Sequence, residues 1–447
     1  MISSLGQQIR TEIVQNCIKA ESLLEAKRAH DDILKENSSP DLFLQNTLIN
    51  MYVRCGSLND AIDVFKGMSE RNVFSCTLML SGYEKYGRPE EAIRLFWQIE
   101  EQGISVDNVA FVTALKACTK ALNLEQGKHI HSHILVLGMD INTFVYNALV
   151  DMYSKCGSMI DAVHVFDQMD GRDAVSFNAI ISACVQSGND AIALTFFNRM
   201  TSEGLRPDEV TFLCILKACA VLGSYETGKE VHGQVLERGL SEKDVVLCTA
   251  LVDMYAKCGA LERAHEVFDL IPLQSVVSWN ALMSGYAQLG DAQKVFDVFN
   301  KMIEEQGTAM PDSVTFLNLL NVSCHDGLVK EGKRMLSNME KVYFLTPEVE
   351  HYTCMVDLYG RAGQVEQTIS VIKDMPFHAD LSIWNTLLGA CQKWGNVQLG
   401  VLAFEHVIQL DEKDVVAYVS LSNIFAASGK QGDSEKIKAI LGNKRIS

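Results

Sequence analysis

The chain has 447 residues, 48% hydrophobic and 21% charged, with mean hydropathy +0.07, which excludes a disordered tail and allows a large core. Its 39 Lys and Arg against 56 Asp and Glu give a formal charge of −17, so bulk attraction to a polyanion is excluded and any contact with one must be local. No run of about 18 uncharged apolar residues occurs, so no membrane insertion is expected. The 13 cysteines include no C-x-x-C pair, and neither a secretory leader nor a transit peptide is visible, which favours a reducing compartment over a disulfide framework.

Along the chain, Asn46-Thr-Leu-Ile-Asn-Met-Tyr-Val-Arg-Cys-Gly56 introduces a pattern that returns at Asn147–Gly157, Thr249–Gly259 and Thr353–Gly363. The spacing divides the chain into repeats at 7–41, 42–72, 73–107, 108–142, 143–173, 174–208, 209–244, 245–275, 276–312, 313–348 and 349–380, followed by segments 381–414 and 415–447. Within a repeat, apolar residues recur at helical spacing in two segments. A glycine commonly stands fifteenth, as at Gly56, Gly87, Gly157, Gly188, Gly259, Gly290, Gly327, Gly363 and Gly395. Lacking a β-carbon, it enters the left-handed region cheaply just past a helix end, so each repeat is expected to be a helical hairpin. Pro89 is expected to open a second helix, where its missing N–H costs nothing. A hairpin cannot bury its apolar face alone, so an all-α superhelix of stacked hairpins with one concave face follows.

Three positions of the first helix fall on one stripe. Position 5 is polar at Thr11, Asn46, Thr77, Asn147, Asn178, Thr249, Asn280, Thr353 and Asn385, but aliphatic at Val112, Leu213 and Leu317 in the long repeats. A carboxamide or hydroxyl on a helix is often satisfied within its own turn; repeated in register, these groups suit the Watson–Crick edge of unpaired bases. Position 2 carries Phe43, Phe74, Val109, Phe144, Val175, Val210, Val246, Val277 and Val314, which suit either packing between repeats or sandwiching a base. Position 13 is basic at Lys19, Arg54, Lys85, Lys120, Lys155, Lys257, Arg361 and Lys393, where composition alone would place about one cation in twelve positions. Phosphate contact and compensation of the helix dipole both account for such a ladder.

No catalytic residues, cofactor or metal are expected. Cytidine deamination needs H-x-E with a downstream C-x-x-C, and neither pattern occurs. His129 and His133 share a helix face without a third ligand, and the equivalent places of His30, His131 and His232 point to packing. Cys17, Cys118, Cys219 and Cys391 recur at one repeat position and Cys55, Cys156 and Cys258 at another, as small apolar fillers.

The alternating repeat lengths, the Asn-Ala-Leu-Val-Asp-Met-Tyr-x-Lys-Cys-Gly signature, Val277-Ser-Trp-Asn-Ala-Leu-Met-Ser-Gly-Tyr286 and the closing Arg206-Pro-Asp208 resemble the plant-type pentatricopeptide repeat family, in the subfamily of alternating ordinary, long and short repeats. Trp384–Cys391 and Tyr418–Ala427 are similar to the E-type motifs of organellar RNA-editing factors; no DYW deaminase domain is recognised. The resemblance implies a right-handed α-solenoid that binds single-stranded RNA one base per repeat in a mitochondrion or chloroplast. It also implies a C-to-U editing site as target, and a deaminase or editing-factor partner recruited through 381–447.

By that resemblance the fifth and last residues of a repeat choose the base. Asn46 with Asn72 resembles a pyrimidine reader, Thr77 with Asp107 and Thr353 with Asp380 G readers, and Asn147 with Asp173, Asn178 with Asp208 and Asn280 with Asp312 U readers. Thr249 with Ser275 implies a purine preference, and the pairs Val112/Asn142, Leu213/Asp244 and Leu317/Glu348 contribute little. The implied target is 5′-Y-G-N-U-U-N-R-U-N-G-3′, with the edited cytidine a few nucleotides downstream. RNA stabilisation or splicing, and a peptide-binding scaffold of the tetratricopeptide type, are the alternatives.

Overall fold

The computed structural model describes residues 22–35, 41–138, 141–239, 244–304 and 309–444; Thr11, Cys17 and Lys19 lie outside them. The described residues form 25 α-helices and no strand, in the hairpin rhythm that the glycine spacing implies. They divide into two compact bodies, residues 1–218 and 219–447, each a stack of helical hairpins of the α-solenoid type.

Each first helix begins where the last residue of the preceding repeat caps it. The Asp107 carboxylate accepts from Ala110 N at 2.8 Å, Asp380 from Ile383 N at 3.0 Å, and Asn142 from Val145 N at 3.1 Å. Such a cap stabilises a helix start by about 1 kcal/mol, a local reason for Asp, Asn or Ser there. The first helices end two positions before the expected glycines, or one before Gly395, and all nine glycines have φ between +65° and +88°. Leu122 occupies the glycine's place in repeat 108–142 and adopts φ +50° despite its β-carbon. Pro89 opens the second helix Pro89–Glu101, as its lack of an N–H allows.

Within each body a first helix packs on its own second helix and on the first helix of the next repeat, as Leu42–Arg54 does on Val73–Lys85 and Val276–Gln288 on Ser313–His325. Phe96, Phe111, Phe166 and Phe177 are fully buried in the first body, Phe268, Trp279 and Phe316 in the second. Phe166 meets Phe177 edge-on at 5.0 Å between centroids, and Phe268 meets Trp279 at 4.6 Å. Neighbouring first helices approach so closely at Gly285 that a β-carbon there would stand 2.5 Å from Ala256 Cβ and 3.2 Å from its Cα. Among the described residues no helix is long and apolar enough to cross a membrane.

The recurring histidines and cysteines pack as their spacing implies. His30, His131 and His232 each bond a tyrosine hydroxyl of the next repeat, Tyr52, Tyr153 and Tyr255, at 2.8–2.9 Å. Cys118, Cys219 and Cys391 are buried, and burial pushes the first two thiols up to about 12. Cys156 and Cys258 donate weakly to the carbonyls of Cys118 and Cys219.

Candidate nucleic-acid interface

All nine position-2 residues stay exposed, from 48% at Val314 to 76% at Phe144. Packing between repeats therefore does not account for them: these side chains stand free on the face of the first helices. One repeat position so presents a spaced apolar row to solvent.

Position 5 divides into three states. In repeats 174–208 and 276–312 the carboxamide bonds the last residue directly: Asn178 Nδ2 donates to Asp208 Oδ2 at 2.8 Å and Asn280 Nδ2 to Asp312 Oδ1 at 2.9 Å. The third residue of the next repeat completes each closed pair, since the Thr211 hydroxyl donates to Asn178 Oδ1 and the Thr315 hydroxyl to Asn280 Oδ1. With one N–H and one lone pair of the amide engaged, one of each is left, an adjacent donor and acceptor of fixed orientation.

Asn46 and Asn147 are in a second state. Their Oδ1 atoms are buried without a partner, and among the described residues no hydrogen bond joins them to Asn72 or Asp173. These short repeats have nine-residue second helices, Leu58–Lys66 and Met159–Asp167, against 13 residues in Asp190–Ser202 and Ala292–Glu304. The second helix sets where the next cap residue falls relative to position 5, and the pair closes only with the longer one. The hydroxyl of Ser176, where the closed pairs have threonine, bonds the Asp173 carboxylate and holds it below the usual carboxylate range.

In the third state the hydroxyls of Thr77, Thr249 and Thr353 donate to the carbonyls of Val73, Val245 and Val349 in their own turn, at 2.7–2.9 Å. The local alternative therefore holds for the threonine donors, leaving their oxygens as acceptors. Their companions Asp107, Ser275 and Asp380 act as helix caps.

The cation ladder is largely neutralised. Lys155, Lys257 and Arg361 pair with Asp151, Asp253 and Asp357 one turn back at 2.8–2.9 Å, and Lys120 pairs with Glu84 of the preceding repeat at 2.7 Å. Lys85 and Lys393 lie over the rings of Tyr86 and Trp394, and among the described residues no carboxylate pairs with them or with Arg54. Three of these pairs are encoded by i,i+4 acid–base spacing, legible in Asp151 and Lys155. Within the second body the same face holds an open groove of about 630 Å³ lined by Asn321, His325, Thr353, Asp357 and Arg361 among others. No three His, Cys, Asp or Glu side chains among the described residues are grouped to hold a metal; His133 instead bonds Glu100.

Stacked hairpins that repeat a polar side chain, an exposed apolar neighbour and a cation at fixed positions of one face define a helical repeat protein with a modular surface. The model of the PPR repeat family matches residues 71–120 and 172–221, and that of the PPR repeat matches 46–73, 144–173, 246–273, 277–306 and 350–377. A pentatricopeptide repeat-containing protein of Arabidopsis thaliana is 37% identical over 394 residues, covering 88% of this chain and 54% of that protein. The chloroplastic CRR2 of the same plant is 34% identical over 450 residues, 99% of this chain and 68% of the relative. A mitochondrial relative from it is 34% identical over 436 residues, covering 97% and 63%. The chain belongs to the pentatricopeptide repeat family. It thus spans between about half and two thirds of the length of these relatives. The fold is that of the pentatricopeptide repeat protein PPR10, solved in complex with an 18-nucleotide psaJ RNA element, with TM-score 0.74 at 19% identity over 96% of this chain and 65% of that one.

Proposed function

We propose that this chain is a sequence-specific adaptor for single-stranded RNA, one base per repeat, that specifies a C-to-U editing site in a chloroplast or mitochondrion and receives its deaminase from a partner docking on 381–447. The observation that carries the reading is the pair of closed carboxamide–carboxylate sites, Asn178–Asp208 and Asn280–Asp312, each on the face that carries the exposed position-2 row. An adjacent donor and acceptor complement the edge of an unpaired base, and flat or branched apolar groups on either side supply stacking. Relatives named for chloroplasts and mitochondria support the compartment, and the RNA complex of a protein with the same fold supports the ligand. The E-type resemblance of the C-terminal segments supports editing over stabilisation.

Binding to 5′-Y-G-N-U-U-N-R-U-N-G-3′ against a scrambled ten-mer of equal composition tests the reading. The adaptor binds the ordered sequence at least tenfold more tightly; equal binding of the two contradicts it.

A further inference from the structure

From the junction of repeats 73–107 and 108–142 we infer a protein-docking groove, formed by residues 100–106 and the end of the second helix Leu124–Leu137. Its occupant is a segment of a partner protein whose aliphatic side chains are flanked by Lys or Arg. The inference stands apart from the RNA-binding reading, since none of the groove's residues holds position 2, 5, 13 or the last position of a repeat.

Leu124–Leu137 ends in three exposed aliphatic residues, Leu135, Val136 and Leu137, before Gly138 turns the chain at φ +59°. Leu137, Ile104 and Val106 line a groove of about 350 Å³ together with Glu100, Gly103 and Ser105. The Glu100 side chain is held in place at its wall. His133 Nε2 donates to Glu100 Oε2 at 2.5 Å, and the His133 ring packs against those of Trp97 and Phe111 at 5.7 and 6.3 Å between centroids. Trp97 is fixed in turn by its Nε1, which donates to Gln126 Oε1 at 2.8 Å.

The junction of repeats 174–208 and 209–244 has the same backbone grammar without this chemistry. Gly228–Gly239 aligns with Gly127–Gly138 without a gap, and both closing glycines are left-handed. Yet Gln234 stands for His133, and exposed Glu237 and Arg238 stand for Val136 and Leu137. Thr201 and Arg206 stand for Glu100 and Ser105. The hairpin stack therefore needs neither the aliphatic lip nor the fixed carboxylate, and covering the lip is favourable because it removes apolar surface from water.

Charge selects what covers it. Residues 95–107 and 129–138 carry Glu100, Glu101 and Asp107 and no Lys or Arg. RNA phosphates, an anionic membrane and a second copy of this chain, with its charge of −17, are repelled there, whereas a cationic segment is attracted. Apolar contact then supplies affinity, and the carboxylates choose the partner.

The test uses random peptides displayed on phage, depleted on the double variant Val136→Glu, Leu137→Arg and then selected on the full chain. That variant installs the residue types that repeat 209–244 already carries, and an unchanged thermal midpoint reports that it folds. Enriched peptides should combine Leu, Ile, Val or Phe with Lys or Arg, and should bind the double variant at least about tenfold more weakly than the full chain. Glu100→Gln keeps an oxygen for His133 and removes the charge, so it should weaken them roughly threefold or more. No enrichment, an acidic or purely polar consensus, or equal binding to the full chain and both variants overturns the inference. So does displacement of the peptides by the RNA ten-mer, which would assign the groove to RNA, or a dimer of the full chain that the double variant abolishes, which would assign it to a second copy.

Discussion

At the scale of single residues, the proposed base discrimination rests on which atoms of a carboxamide are already engaged. Thr211 and Thr315 are fully buried, and each gives its proton to the position-5 amide of the preceding repeat. Replacing Thr211 by Val keeps the shape and removes the donor, so the Asn178 amide loses its fixed orientation. Preference for U over G at the fifth letter should fall several-fold while the eighth letter, read by Asn280, is unaffected; Thr211→Ser should restore it. Equal loss at both letters would assign Thr211 a purely structural role. The position-5 and cap residues are legible in sequence because they recur at fixed spacing. The threonine lock is not, because it joins side chains 33 residues apart, and only the fold brings them within reach.

At the scale of helices, two devices hold the stack. Gly285, within the quoted Val277–Tyr286 motif, allows neighbouring first helices to touch. Gly285→Ala gains about 1 kcal/mol of helix propensity but forces a methyl against the Ala256 backbone, an overpacking cost of roughly 1–3 kcal/mol. Its denaturant midpoint should therefore fall; a rise would contradict the close approach. The histidine–tyrosine bonds make the stack sensitive to acid. Burial pulls His30, His131 and His232 below their ordinary value of 6.5, so the unfolded chain binds protons more readily than the folded one. Their stabilisation is in place above pH 6.5 and is lost as pH falls through the lower folded values. The thermal midpoint should rise between about pH 5 and pH 7, and less so in a His131→Gln, His232→Gln double variant; an undiminished rise would place the effect elsewhere. The glycine rhythm is readable because φ near +70° favours glycine, yet the exposed Leu122 adopts φ +50° with a β-carbon.

At the scale of the whole molecule, the proposed adaptor is an acidic chain that would bind a polyanion without a large free positive charge. Each exposed pair such as Asp151–Lys155 is worth at most about 0.5 kcal/mol, so a phosphate can displace the carboxylate, but the exchange releases little counterion. With Arg54, Lys85 and Lys393 as the described ladder cations outside such pairs, the salt slope of RNA binding should be about −2, against about −5 for all seven. Asp151→Asn with Asp253→Asn should steepen it; an unchanged slope would contradict this role for the pairs. Fold class and the exposed position-2 row are thus written in the sequence by periodicity. Which pairs close and which cations are neutralised depend on second-helix length and on neighbouring side chains, which periodicity does not encode.

The most direct measurement is the base preference of Asn178→Thr at the fifth letter of the ten-mer. If each repeat reads one letter through its fifth and last residues, preference there moves from U toward G by about tenfold and no other letter changes. A flat preference before and after the exchange, or a change spread over all ten letters, would contradict a modular code on this face.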